Sequence, residues 1–162
     1  MEYLNGTREP SPCPCVPVVT VATVKKVADD KIDNSGTNEA EKALAKKHYI
    51  AAYQVNEAKT ITEEYIHKVY GKNNDIDGTK VNAYRHAMWS AIMTDMIGEK
   101  LAKQFGDAHE DFPNNKKENK EMDLHNNALG RRIAQEYAGQ GYDVFSEKII
   151  EAIENGEAIV LK

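Results

Sequence analysis

Apolar and polar positions along the chain alternate with helical spacing over most of its length, beginning near Asn38. Leu44, His48, Ala51, Ala52 and Val55 recur every three or four residues with charged positions between them, the signature of an amphipathic helix. Thr60 or Thr62 is placed to cap a second helix, TITEEYIHKVYG, which Gly71 ends. The segment KNNDIDGTK then reads as a loop. A long helix follows from about Lys80 to Phe105, bent at Gly98, and the chain leaves it near Pro113. Another helix runs from about Glu121 to Tyr137, where GQGYD breaks it. Asp143 is placed to cap a last helix that ends at Asn155-Gly156. The pattern therefore predicts a mainly α fold, a compact bundle of about five helices.

The first part of the chain reads differently. Residues 1–37 form a Pro- and Cys-containing arm, a short β-branched stretch (VPVVTVATV) and a polar linker, DDKIDNSGTN. The helical domain is expected over 38–162. The terminal AIVL is a candidate strand that pairs with VPVVTVATV and ties the termini together. Cys13 and Cys15 are too close for an unstrained disulfide, and C-x-C lacks the further ligands of a zinc site. Asp75 and Asp77 resemble the start of a calcium loop whose other ligand positions are missing.

Composition changes the picture little; charge narrows it. In 162 residues, 41% are hydrophobic and 29% charged, which suits one globular domain with a core that needs no metal to form. The formal net charge of −5 disfavours unassisted binding to nucleic acid or to an anionic membrane, because both rest on Lys and Arg. A nuclease gripping phosphate through a metal is not excluded. No run approaches the ~20 apolar residues of a membrane span, and no signal-peptide pattern is present. The chain fits equally a mature secreted or cell-envelope protein and a module of a longer one.

The unusual chemistry lies between Asn82 and Arg132. In NAYRHAMWSAIMT, His86 shares a face with Trp89, Met93 and Ile97, so its imidazole points to the core or a cleft and needs partners. Arg85 stands beside it. In GDAHE, Asp107 and Glu110 are one helical turn apart, with His109 between them. In MDLHNNALGRRI, the apolar stripe Met122, Leu129, Ile133 runs beside Asp123, His125, Asn126, Asn127 and Arg131. Gly130 is unfavourable inside a helix unless something approaches closely there. Imidazole and carboxylate are the ligand set of Zn or Mn, and helical bundles build such sites from inward side chains. No H-E-x-x-H, Walker, G-x-S-x-G or G-x-G-x-x-G motif is present.

Together the three blocks, over roughly Ala43 to Leu161, resemble an uncharacterised bacterial domain family with RHAxW, DAHE and MDLHNNxxGR blocks. The resemblance implies small secreted-type proteins or the C-terminal domains of polymorphic-toxin-like chains, and with them an exported effector whose partner is a cognate immunity protein. It carries over by position to Arg85, His86 and Trp89, to Asp107, His109 and Glu110, and to Asp123, His125, Asn126, Asn127 and Arg131.

The leading expectation is a metal-dependent hydrolase of a phosphoester, such as a lipid head group or another small molecule. His86, Asp107, His109, Asp123 and His125 supply the ligands of a divalent metal, Zn or Mn. Glu110 is the base, Arg85 or Arg131 grips the anion, and Asn126 and Asn127 complete the polar wall. Two alternatives stand beside it. One is a non-enzymatic interaction module whose buried polar cluster is structural; the other is a metal-free acid–base enzyme.

Overall fold

The computed structural model describes residues 21–71 and 78–162, which form seven helices and, among the described residues, no strand. They are α1 (Val21–Asp33), α2 (Glu39–Lys47), α3 (Tyr49–Tyr70), α4 (Lys80–Ile97), α5 (Glu99–His109), α6 (Lys117–Glu136) and α7 (Tyr142–Glu154). The mainly α expectation holds, with more helices than the five expected.

One of the two extra helices is α1, formed where a short strand and a linker were expected; the other comes from a break at Gly98, while the boundary between α2 and α3 only moves. The first helical pattern ends at His48, whose non-helical backbone (φ −135°, ψ 61°) separates α2 from α3, rather than at Thr60. Thr60 and Thr62 cap nothing; their hydroxyls donate back to the carbonyls of Asn56 and Ala58 within one continuous helix. The long helix is cut at Gly98, which adopts φ 81° and so turns the chain back, instead of bending. Further on, α6 begins at Lys117, a turn earlier than expected, and Asp143 lies in the first turn of α7 behind Gly141.

Among the described residues the expected strand pairing is not seen. Val21 to Val24 belong to α1, while residues 16–20, like Cys13, Cys15, Asp75 and Asp77, lie outside the described residues. At the other terminus, side chains take the place of a partner strand. Asn126 donates from Nδ2 to the Ile159 carbonyl and accepts from the Ile159 N–H, each at 3.0 Å. The N–H groups of Leu161 and Lys162 donate to the Gly78 carbonyl.

Helix α4 is the axis of the molecule. From Val81 to Thr94 every residue but Arg85 is buried, so this helix has no polar face of its own. It packs against α3, α5, α6 and α7. Its closest neighbour is α6: a Cβ added at Gly130 would stand 1.9 Å from the Ala87 carbonyl oxygen. The interior glycine therefore marks the point where two backbones touch, as its position in the sequence suggested. His86 meets Asp123 near one end of this contact, and Arg131 meets Glu99, just past the end of α4, at the other. The two helices thus run side by side in the same direction, and α5 returns against them. Among the described residues, no helix is long and apolar enough to cross a membrane.

Candidate metal centre

The returning course of α5 brings its last residues back beside the middle of α4. Glu110, the first residue past α5, there faces His86 of α4 and Asp123 of α6. One ligand atom from each of the three residues lies within 4.8 Å of the others, and all three residues are buried. A buried His–Glu–Asp group of this kind can hold a metal ion.

His86 sits between the two carboxylates. Its Nε2 is 3.2 Å from Asp123 Oδ1 and its Nδ1 is 3.5 Å from Glu110 Oε1. Burial, with the charges of His109 and Arg85 adding to it, pushes the His86 pKa down to about 3; the Asn127 amide works weakly the other way. The ring is therefore neutral at pH 7 and carries a single N–H. It can donate towards one carboxylate only, so on the other side a nitrogen lone pair confronts an oxygen. The distances agree, because charge-assisted bonds run at ~2.7–2.9 Å. His86 Nδ1 and Glu110 Oε1 make no hydrogen bond at all. Burial raises the Glu110 pKa, opposed by His109 and by Asn115, whose Nδ2 donates to Oε2 at 3.3 Å and so leaves Oε1 turned to the cluster.

Further polar groups hold the end of α5, and with it Glu110, in place. Asn38 caps α2 and donates from Nδ2 to the carbonyls of Ala108 and His109, which docks α2 on the end of α5. Glu41, the other half of that capping box, reaches His109 Nδ1 at 2.9 Å. Burial opposes charge on both partners, yet their mutual hydrogen bond and attraction win: the Glu41 pKa is lowered and that of His109 raised. The His109 ring lies edge-on to Trp89 and Phe112, 6.4 Å from the His86 ring between centroids. Arg85 pairs with Glu63 at 3.4 Å, and exposed Lys59, four residues before Glu63 on α3, is close enough for its charge to act on Glu41 and His109.

The remaining candidates of the sequence lie elsewhere. Asp107 is half-exposed and pairs with Lys103 one turn back, because α5 ends at His109 and Glu110 leaves the helical face the two were expected to share. His125 is two residues beyond Asp123, about 200° round the helix. Its exposed Nε2 meets the Glu157 carbonyl at 2.7 Å. Arg131 is about 12 Å along the axis from Asp123 and is held by Glu99 at 3.3 Å, so it is no clamp for this centre. Asn126 is fully buried but committed to Ile159, whereas Asn127, equally buried, faces the cluster side of α6. His109 is next to the centre without being one of the three, and Glu110, expected as the base, stands among the three groups that could hold a metal ion. Glu41, Lys59 and Asn115 were missed. Only Glu41 left a trace, as the fourth residue of the NEAE capping signature.

Two adjoining grooves of about 470 Å³ each, sharing Lys47, His48, Ile97 and Leu101, lie at the α2–α3 and α4–α5 junctions; none of the three central residues lines them. The profile of the DUF6973 family, described as a domain of unknown function, matches residues 42–157. No curated protein and no solved structure matches the chain.

Proposed function

Because the chain belongs to the DUF6973 family, whose description names no reaction, we propose its activity from its own side chains: a metal-dependent hydrolase acting on a small phosphoester. The carrying observation is the neutral imidazole of His86 caught between two buried carboxylates. Two buried negative charges with no buried cation among them are costly, and a divalent ion between the three groups cancels that charge while using the lone pairs that now oppose one another. One imidazole and two carboxylates suit Mn²⁺, Fe²⁺ or Zn²⁺ and leave positions for water and substrate.

Such a cation lowers the pKa of a water it holds to about 7 and polarises a phosphoryl oxygen. The protein supplies the rest. His109, its Nδ1 fixed by Glu41 and its pKa raised by that partner, is held as the protonated acid that can donate to the leaving group. Arg85 and Lys59 attract the anion in a chain that is otherwise acidic. A small phosphoester is favoured over a long polyanion because the net charge opposes an extended acidic ligand.

The test is hydrolysis of p-nitrophenyl phosphate and of bis(p-nitrophenyl) phosphate by chelator-stripped protein, before and after adding Mn²⁺ or Zn²⁺. Cation-dependent turnover is expected to fall to background in His86→Ala and Asp123→Ala. It should fall by about 10²-fold or more in His109→Ala, the usual scale for a lost acid–base group. Absence of turnover with either substrate and either cation overturns the phosphoesterase proposal.

A second reading has one observation in its favour: the three central side chains are no more than 12% exposed and line neither groove. On that reading the cluster is structural and the domain a non-enzymatic interaction module. Asp123→Ala would then lower stability by about 2 kcal/mol, with no response to any cation in the parent protein.

A further inference from the structure

Asn126 and Asn127 are neighbours on α6, and neither exposes any surface. Their surroundings are opposite. The Asn126 amide is satisfied on both sides by the backbone of Ile159. Neither Oδ1 nor Nδ2 of Asn127 makes a hydrogen bond of good geometry; the amide has only a weak approach to the His86 ring. A fully buried carboxamide so poorly matched bears most of its desolvation cost, so such groups are retained where something absent from the protein chain meets them.

The position of Asn127 identifies what that is. It follows Asp123 by four residues, one helical turn, which puts both on one face of α6 with Cβ atoms about 5–6 Å apart. Ligand pairs at this spacing reach a single ion, as the two histidines of H-E-x-x-H do. Opposite stands Gly106 of α5, where an added Cβ would lie 3.4 Å from Asn127 Nδ2, so the amide fills the space a side chain would take. Asn127 is also near enough to His86 to act on it as a hydrogen-bonding group.

We infer that Asn127 is a fourth metal-facing residue, its carboxamide oxygen taking a coordination position on the divalent cation held by His86, Glu110 and Asp123. This rests on the metal reading above and extends it. The donor set becomes one imidazole nitrogen and three oxygens, of which two carry charge, so a divalent ion leaves the loaded centre neutral. An amide contributes an oxygen without a third buried negative charge, which explains asparagine in place of aspartate. Asn82 Oδ1 and Ser90 Oγ, one turn on either side of His86, are buried and unbonded as well, and are placed to receive waters around the ion.

The experiment is calorimetric titration of Mn²⁺ alone into the chelator-stripped full chain, with the melting temperature of each metal-free protein beside it. Asn127→Ala is expected to weaken Mn²⁺ binding by about 10–100-fold, the scale on which neighbouring groups tune metal sites. Its metal-free melting temperature should be unchanged or raised, because an unsatisfied amide is removed. Asn127→Asp restores an oxygen at the same place and should restore binding. Asn126→Ala should do the reverse of Asn127→Ala, melting lower and binding as the parent does. If Asn127→Ala binds like the parent while His86→Ala loses binding, this inference falls and the metal reading stands. A drop in metal-free melting temperature with no rescue by Asn127→Asp also overturns it, as a structural role. If the parent binds no Mn²⁺, both fall together.

Discussion

Gly130 has no side chain because Ala87 leaves it no room. An alanine there would drive its Cβ to 1.9 Å from a carbonyl oxygen belonging to another helix, and backbone cannot swing aside as a side-chain tip can. Gly130→Ala is expected to destabilise the fold by about 3 kcal/mol, the upper end of ordinary overpacking. Urea denaturation measures it, and a loss under ~0.5 kcal/mol would mean that α4 and α6 are not in backbone contact. This glycine was legible in part: its place inside a helical pattern announced a close approach but not the residue that approaches. The histidines were less so. His86, His109 and His125 are chemically alike in the sequence, yet one is enclosed by carboxylates, one is paired at the edge, and one is exposed against a backbone carbonyl. What separates His125 from Asp123 is an angle of about 200° on a helix whose buried face the apolar stripe fixed only broadly.

Between elements, the end of α5 matters most, since it carries His109 and Glu110 and is held to the start of α2 by Asn38 and Glu41. The Glu41–His109 pair makes this docking pH-dependent. The Glu41 pKa is lowered from 4.5, so its share of stability is present above pH 4.5 and is lost as pH falls through the lowered value. The His109 pKa is raised from 6.5, so its share is present below pH 6.5 and is lost as pH rises through the raised value. Both act fully between 4.5 and 6.5. The melting-temperature deficit of Glu41→Gln should be widest in that window and shrink on either side; a deficit constant from about pH 5 to 9 contradicts the pairing. Helix existence was legible in the sequence because apolar period and glycine stops are local properties. The breaks were less so, since Thr60 and His48 are both tolerable inside a helix and tertiary packing chose between them.

At the scale of the molecule, α4 passes through the middle of the domain and gathers the centre from three places far apart in the chain. Glu110 and Asp123 stand with His86 because α5 turns back at Gly98 and α6 then runs alongside α4. The sequence displayed the right residue types in three blocks but not the fold-back that selects among them, so Asp107, His125 and Arg131 looked as eligible as the residues that meet. A ligand that binds only the folded state stabilises it, by about 2.7 kcal/mol at one hundred times its Kd. Saturating Mn²⁺ should therefore raise the melting temperature of the parent by several degrees and leave that of His86→Ala where it was. Diffraction from crystals grown with Mn²⁺ tests the central claim most directly. The expected result is one anomalous peak enclosed by His86, Glu110 and Asp123, about 2.0–2.3 Å from their ligand atoms. A clean map at that position, with manganese only on exposed carboxylates such as Asp107 or Asp143, would contradict it.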